Sequence, residues 1–451
     1  MQENRNIYKN VLVLGGSESG TGAAMLAHKA GMDVFVSDAN TIPEKYKAEL
    51  QRFRIPFEEG GHSIQQVAHA DLIVKSPGIP DSAPILQQKN ENTAVISEIE
   101  FASWYTSATI IGVTGTNGKT TTSLLTGHIL KEAGLDVCVA GNVGISFARA
   151  LTEKDYDVFV LELSSFQLDG IVDFHPAIAV ITNITPDHLD RYENDFERYA
   201  SAKLRIAKNQ TIHDHLIYNA DDQVINQQIA KHQPKAKLLP FAVLNKDLGK
   251  NGTIINEKFH INILDNPFTM TLEELALQGK HNLGNSLAAG ISARLLQVRN
   301  ESLRQSLSNY KNAAHRLEFV ANVHGVAYYN DSKATNVNST WYALEHFQQP
   351  IVWIAGGQDK GNDYTTLIPL ARQKIKAIIC LGTDNQKLIE TFKEHVEVIA
   401  EATTAEQAVM YASLIAVKND VVLLSPACAS FDLFSNYEDR GNKFKLAVKS
   451  L

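Results

Sequence analysis

In this chain of 451 residues, the residues whose types speak most directly of chemistry are Thr114-Gly115-Thr116-Asn117-Gly118-Lys119-Thr120. An apolar run at 109–113 precedes them, and a helix-like segment follows to Ile129. Strand, glycine-bearing loop and helix make a phosphate cradle, because loop N–H groups and the helix N-terminus favour negative charge. Lys119 adds a compact positive charge, and the Thr120 hydroxyl suits a magnesium ion. Val113 stands where the strict phosphate-loop pattern has its first glycine, and Gly112 comes one place early. The bland alternative is an ordinary strand–helix turn; Gly-Lys-Thr in this context argues against it.

A second informative residue is Glu162, near the end of the apolar run 156–163 (YDVFVLEL). An acid at the tip of a buried strand is costly unless partnered, and a magnesium ion is one such partner. The alternative is a carboxylate that reaches solvent. Lys203 lies in 196–208 (FERYASAKLRIAK), an amphipathic helix pattern in which a lysine reads as a solvated face residue. Polar clusters recur after apolar runs further on: 331–336 (DSKATN), 356–361 (GGQDKG) and 426–432 (PACASFD). Each alone reads as a capped turn; several at one sheet edge suggest a site.

The elements that must position these residues alternate between strand and helix. Residues 10–16 read as a strand running into glycines, 21–31 as a helix and 32–38 as a second strand ending in Asp38, a Rossmann-like opening. Gly15-Gly16-Ser17-Glu18-Ser19-Gly20 has Ser17 where a dinucleotide fingerprint has its middle glycine, which weakens that reading. Asp38 can still accept hydrogen bonds from a ribose or base edge, or the glycines merely let helix pack on strand. A strand at 70–75 ends in Ser76-Pro77-Gly78, and strand ends are where open α/β sheets bind ligands. Residues 98–106 form a short helix leading to a central domain, with strands at 136–140, 156–163 and 177–182 expected in a mostly parallel sheet. Residues 213–268 read as a strand-rich insertion, and 279–285 open a helix at 286–296, where Asn282 or Asn285 suits a cap. A third α/β unit begins near His315, with strands at 327–330, 351–355, 377–382 and 421–425. The fold class expected is α/β in three domains: a Rossmann-like N-terminal domain (1–106), a central P-loop mononucleotide-binding ATPase domain (107–313) and a Rossmann-like C-terminal domain (314–451).

Composition agrees with a globular protein, at 44% hydrophobic and 20% charged. A net charge of −8 disfavours a generic nucleic-acid binder, so anionic ligands need local sites. Cys138, Cys380 and Cys428 lack disulfide or metal spacing, which fits a reducing compartment. The start is polar and no apolar run suits a bilayer, so the expectation is a cytoplasmic protein without a membrane partner. From residues alone this is a magnesium-dependent, ATP-using enzyme with an unnamed phosphoryl acceptor.

Residues 112–122, Asn142, 161–168 (LELSSFQL), 183–188 (NITPDH), 280–285, 331–336 and 425–434 occur in the order found in the Mur ligases, and the chain resembles that family over essentially its whole length. The resemblance is nearest to members that add D-glutamate; the Asp-Asn-Pro-Arg run of the ligase adding the third amino acid is absent. It implies that ATP phosphorylates the carboxylate of UDP-N-acetylmuramoyl-L-alanine, that the D-glutamate amine attacks the acyl phosphate, and that phosphate leaves. Three anionic groups then converge, and cations must neutralise them. By resemblance, Thr114, Gly115, Thr116, Asn117, Gly118, Lys119, Thr120 and Thr121 hold the ATP phosphates. Asn282 and Asn285 meet adenine, and Arg316 and Asp331 reach the nucleotide. Two magnesium ions are implied, with Thr120, Glu162, His188 and Lys203 as ligands, Lys203 as a carbamate; a depressed lysine pKa helps that modification. Ser19, Asp38 and Ser76 hold the uridine diphosphate, and Asn142, Ser164, Gln167 and His188 the muramoyl-alanine end. Lys333, Thr335, Lys360, Ser430 and Tyr437 position D-glutamate, and Lys119, Glu162, His188, Lys203 and Lys333 form the catalytic set. The absent glycine at Ser17 fits a UDP sugar. A monomer is expected, whose third domain swings onto the second as ligands bind. The rivals are a same-architecture ligase such as a folylpolyglutamate synthase, a nicotinamide-dependent oxidoreductase, and a nucleotide-binding regulatory or transport module.

Overall fold

Each apolar run bounded by glycine or a polar turn becomes a strand, and each amphipathic stretch between two such runs becomes a covering helix. The computed structural model describes residues 8–244, 251–263, 266–277, 279–310 and 314–451. It divides into two units, Met1–Tyr310 and Lys311–Leu451.

The first sheet holds β1 (Asn10–Leu14), β2 (Asp33–Asp38), β3 (Phe57–Glu59), β4 (Leu72–Lys75) and β5 (Ala94–Ser97) in the order β3-β2-β1-β4-β5. All its pairings are parallel. The helix after β1 spans Glu18–Lys29, starting earlier than the pattern indicates. Gly20 permits this, since a Cβ there would lie 1.7 Å from the Gly15 carbonyl oxygen. The glycines therefore do let helix approach strand.

The second sheet comprises β6 (Thr109–Thr114), β7 (Val137–Gly141), β8 (Val158–Glu162), β9 (Ile178–Ile181), β10 (His215–Asn219), β11 (Lys237–Ala242), β12 (Gly252–Ile255), β13 (Lys258–Ile263) and β14 (Asn266–Thr271). Its order is β14-β13-β12-β11-β10-β9-β6-β8-β7. Pairing is parallel from β7 across to β12, and β12-β13-β14 is an antiparallel meander. The expected insertion at 213–268 is thus part of the central sheet, and it includes a helix, Gln223–His232. Ile111, Val113, Val160, Val180, Leu287 and Ile291 belong to one buried core. Helix Lys280–Leu295 packs on helix Lys119–Glu132 across this face.

Two acids help to join the first two sheets. Glu100, fully buried on the short helix Glu98–Ser103, accepts hydrogen bonds from Trp104 Nε1 (2.9 Å) and from the Val172 and Phe174 N–H groups (both 2.8 Å). Glu98 accepts from the Ala148 N–H at 2.5 Å, and burial raises its pKa to about 7. Helix Glu18–Lys29 packs on helix Phe147–Glu153 beside them, with Arg149 Nε 2.7 Å from Glu18.

The C-terminal unit has a third sheet: β15 (Glu318–Val323), β16 (Val326–Asn330), β17 (Ile351–Ala355), β18 (Ile375–Leu381), β19 (Val398–Ala402) and β20 (Val421–Leu424). The order is β15-β16-β20-β17-β18-β19, parallel except for β15 against β16. Among the described residues no helix is long and apolar enough to cross a membrane.

Candidate active site

The phosphate loop leaves the C-terminal end of β6 and enters helix Lys119–Glu132 at Gly118, whose φ of 80° is left-handed. Gly115 has φ 143°, and a Cβ there would meet Thr182 Oγ1 at 2.0 Å. The end of β9 holds the loop from below. Thr182 Oγ1 donates to the Asn117 carbonyl at 2.6 Å, while Asn183 Oδ1 accepts from the Asn117 N–H and Asn183 Nδ2 donates to the Asn117 carbonyl, both at 2.9 Å. Thr116 Oγ1 joins the Thr185 carbonyl and Tyr199 OH, each at 3.0 Å. The loop's shape is therefore set by tertiary bonds before any ligand arrives.

Two lysines converge on it. Lys119 Nζ donates to the Gly115 carbonyl (2.9 Å) and the Thr116 carbonyl (2.7 Å). Lys203 Nζ donates to the same Gly115 carbonyl at 2.8 Å. Lys203 is only 2% exposed, so the solvated-face reading fails: the inner side of helix Phe196–Leu204 carries it under the loop. Its Nζ lies 4.5 Å from the centre of the Tyr199 ring, one turn earlier. Burial foremost, and then the charge of Lys119, hold the Lys203 pKa well below that of an ordinary lysine. Two lysine Nζ atoms sharing one carbonyl disfavour a charge on both, a conflict that a bound anion relieves.

Glu162 does not reach solvent, at 1% exposure. Strand register sets it beside the loop: β8 pairs with β6 at Val113↔Glu162 and with β7 at Gly141↔Glu162. Asn142 Nδ2 donates to Glu162 Oε1 at 2.8 Å, so two predicted residues meet. Ser164 and Gln167 form a capping box for helix Ser165–Asp169, with Gln167 Oε1 accepting from both N and Oγ of Ser164 at 2.9 Å. His188 has a left-handed backbone (φ 51°) and a half-exposed ring edge-on to Phe166 at 5.4 Å. Among the described residues no group of three or more His, Cys, Asp or Glu side chains forms a metal cluster.

Ser19, Asp38 and Ser76 all line one cavity of about 950 Å³ at the strand ends of the first sheet. Asp38 spans the turn there, accepting from the Gly16 N–H (2.7 Å) and the Asn40 N–H (2.8 Å). Ser76 Oγ is buried with no partner among the described residues. Arg191 joins this cavity's rim to the central domain by donating to the carbonyls of Gly78 (2.8 Å) and Pro77 (3.2 Å), its guanidinium 4.5 Å from the Phe166 ring centre.

Asn282 and Asn285 do not cap their helix. It starts at Lys280 with Gly279 as its cap, which turns both asparagines inward, 6% and 5% exposed. Asn285 Oδ1 accepts from Thr122 Oγ1 at 3.3 Å, and a Cβ on Gly118 would lie 2.3 Å from it, so this side chain abuts the phosphate loop.

In the C-terminal unit, Asp331 directly follows β16 and accepts from Ser425 Oγ (2.9 Å) and the Leu317 N–H (3.1 Å); burial raises its pKa to about 7. Lys333 Nζ donates to Tyr437 OH at 3.1 Å. Ser430 is buried and Lys360 exposed. Arg440 is the unforeseen residue here. It is 1% exposed and donates to Ser332 Oγ (3.0 Å) and to the carbonyls of Ser332 (2.9 Å) and Cys428 (3.1 Å), which ties together the turns after β16 and β20. Burial lowers its pKa to about 10. Nothing in YEDRGNK marked it out, whereas Tyr199 carried a signal in its i, i+4 spacing to Lys203.

Three family descriptions match in chain order: the MurD N-terminal domain at 11–84, the Mur ligase middle domain at 113–293, and the Mur ligase glutamate ligase domain at 315–428. The UDP-N-acetylmuramoylalanine–D-glutamate ligase of Christiangramia forsetii is 50% identical over 98% of this chain and 100% of its own. That of Porphyromonas gingivalis is 50% identical over 98% and 99%. Among solved structures, the Thermotoga maritima MurC superposes with a TM-score of 0.63 at 19% identity, covering 98% of this chain and 99% of that one. The Mycobacterium tuberculosis folylpolyglutamate synthase gives a TM-score of 0.56 at 14% identity over 72% and 90%, so the fold alone does not separate these ligases. Identity over the full length does, and the chain belongs to the Mur ligase family.

Proposed function

We propose that this chain joins the amine of D-glutamate to the free carboxyl of UDP-N-acetylmuramoyl-L-alanine at the expense of ATP, a step in building peptidoglycan precursors. One observation carries the reading: half of all positions are identical, over nearly the whole chain, to ligases named for that reaction. The γ-phosphoryl group passes from ATP to a carboxylate oxygen, leaving ADP. The amine then attacks the acyl carbon, a proton departs from nitrogen, and the carbon–oxygen bond to phosphate breaks. The oxidoreductase and regulatory-module rivals account for neither Glu162 nor Lys203 beside the loop.

The residue roles are those the family pattern implies. Thr114 to Thr121 cradle the triphosphate, with Lys119 exchanging its loop carbonyls for phosphate oxygens. Asn282, Asn285, Arg316 and Asp331 serve the nucleotide. Ser19, Asp38 and Ser76 hold the uridine diphosphate, while Asn142, Ser164, Gln167 and His188 hold the muramoyl-alanine end. Lys333, Thr335, Lys360, Ser430 and Tyr437 orient D-glutamate.

The residues also suit magnesium. Glu162 is a buried carboxylate beside the loop, Thr120 supplies a hydroxyl at the helix start, and both are hard oxygen donors. His188 and Lys203 would complete a second position. Magnesium would offset the charge that builds up on the transferring phosphoryl group. Lys203 suits carbamylation because its amine is buried and its pKa depressed. The neutral nitrogen adds to carbon dioxide, one proton leaves, and a cation becomes a two-oxygen anion. ATP and the UDP-linked substrate are phosphorylated intracellular metabolites, which accords with a cytoplasmic enzyme, and a monomer suffices because one chain supplies every proposed residue.

Phosphate release is measured with ATP, magnesium, UDP-N-acetylmuramoyl-L-alanine and a panel of amino acids. Release that requires D-glutamate is the expected result. Release with another amino acid alone, or with no amino acid, would refute the assignment.

A further inference from the structure

Lys360 lies in the loop that leaves β17 and runs to Tyr364. The loop folds back on itself through Asp359. Asp359 Oδ1 accepts from the Gly361 N–H (2.6 Å) and the Asn362 N–H (3.0 Å), so the chain turns around Lys360, and Gly361 supplies a left-handed φ of 84°. Asp359 Oδ2 accepts from Tyr364 OH at 2.7 Å. Tyr364 is only 2% exposed, and its oxygen lies 3.0 Å from Cys428 Sγ and 3.2 Å from Asn362 Nδ2. Asn362 Nδ2 also donates to the Ala427 carbonyl at 3.1 Å. Ala427 and Cys428 stand on the turn after β20, shortly before Ser430. The Gln358 N–H joins the same two turns by donating to the Ala429 carbonyl at 2.9 Å.

The protons in this set have one arrangement. Burial works against ionisation of Asp359, but the Tyr364 hydroxyl and the Asn362 and Gly361 N–H groups outweigh it and hold its pKa below the usual carboxylate value. An ionised carboxylate only accepts, so the Tyr364 hydroxyl proton goes to Asp359. The Tyr364 oxygen then accepts from Asn362 and from the Cys428 thiol. Burial keeps that thiol protonated, its pKa pushed up to about 11. The bonds therefore run from Cys428 to Tyr364 to Asp359, from the turn after β20 into the loop after β17.

Lys360 itself is exposed. The acid next to it in the chain is Asp359, whose oxygens are already engaged by Tyr364 and two N–H groups, with Lys387 Nζ 3.7 Å away. The Lys360 head is thereby left to a ligand rather than drawn onto its neighbour. A lysine is a point charge on a flexible stem, so what the protein can fix is the backbone that bears it.

We propose that Tyr364 is a positioning residue for Lys360: with Asp359 and Cys428 it sets the spacing between the loop after β17 and the turn after β20, so that Lys360 and Ser430 meet one D-glutamate molecule. Tyr364 acts through the lysine and does not touch the amino acid. The inference rests on the reading of Lys360 and Ser430 as D-glutamate-binding residues and adds to it the side chains that hold them in register.

Phosphate release by the full chain, followed against D-glutamate concentration with magnesium, ATP and UDP-N-acetylmuramoyl-L-alanine saturating, tests it in Tyr364→Phe, Asp359→Ala, Lys360→Ala and the double variant Tyr364→Phe/Lys360→Ala. Tyr364→Phe keeps the ring in the core and removes only the hydroxyl. It should raise KM for D-glutamate about ten-fold, with kcat within about two-fold of the parent and KM for ATP, titrated separately, unchanged. Asp359→Ala should raise it as well. By charge alone that change would lower KM, because it removes a negative charge beside an anion-binding lysine, so a rise reports position. The double variant should bind D-glutamate no more weakly than Lys360→Ala, since a positioning effect then has nothing to position. KM unchanged or lowered in either Tyr364→Phe or Asp359→Ala, with KM raised in Lys360→Ala, overturns the proposal and leaves the Lys360 reading standing. Additive losses in the double variant overturn it too, because they belong to a general loosening of the unit. KM unchanged in Lys360→Ala overturns the Lys360 reading and this inference with it.

Discussion

Glu98 offers a prediction with a sign and a size. Its carboxyl sits wholly inside the junction between helices Glu98–Ser103 and Phe147–Glu153, one oxygen accepting from Ala148 N and the other without a partner among the described residues. Burial, mainly, raises its pKa from 4.5 to about 7; Glu18 adds to the rise, and the Ala148 N–H opposes it. A folded-state pKa above the unfolded one means that the folded protein holds the proton more tightly. This contribution is therefore fully present below pH 4.5 and lost as pH rises through about 7. At about 1.4 kcal/mol per pKa unit, the loss amounts to about 3 kcal/mol. Glu98→Gln mimics the protonated acid and does not titrate. The variant should match the parent protein near pH 4.5 and exceed its stability by about 3 kcal/mol at pH 8. Urea unfolding from pH 4.5 to 8, read by hydrogen exchange in peptides covering the two helices, isolates this unit's transition. Parallel pH profiles for the two proteins would refute the reasoning. A variant that loses stability relative to the parent as pH rises would show that Glu98 is held ionised.

The remaining predictions concern the site. Lys203→Met should lower kcat about a thousand-fold, by removing the carbamate proposed to hold the second magnesium ion beside the transferring phosphoryl group, while leaving the thermal midpoint unchanged or higher because a buried polar group is lost. Partial rescue of Lys203→Ala by acetate would support the carbamate, and full activity without rescue would exclude it. Gly115→Ala forces a Cβ to 2.0 Å from Thr182 Oγ1 at a positive φ, so ATP affinity measured by calorimetry should fall at least about ten-fold with UDP affinity unchanged. Arg191→Ala removes two hydrogen bonds to the Pro77–Gly78 turn and a ring contact with Phe166. KM for the UDP substrate should rise about ten-fold, or about 1.4 kcal/mol, with KM for D-glutamate unmoved.

The sequence by itself determined the parts whose physics is local. An apolar run followed by Gly-Lys-Thr forms a strand, an anion-binding turn and a helix wherever it folds, and β6, the loop and helix Lys119–Glu132 are found there. Spacing also carried the alternation of strand and helix, and motif order carried the family. Only the tertiary structure decided which charges are buried. Lys203 sits in a helix whose pattern suits solvent, and its partner is a carbonyl 88 residues away. Arg440 likewise bonds to carbonyls on turns that β-sheet order, not chain order, brings together. Asn285 reads as a cap until the helix is seen to start at Lys280, which turns the side chain inward toward Thr122. Residues 213–268 look like an insertion because their apolar runs are short, yet they complete the central sheet. In each case a hydrogen bond or strand pairing between distant segments outweighed the local pattern, and local patterns hold no information about partners that arrive from elsewhere in the chain.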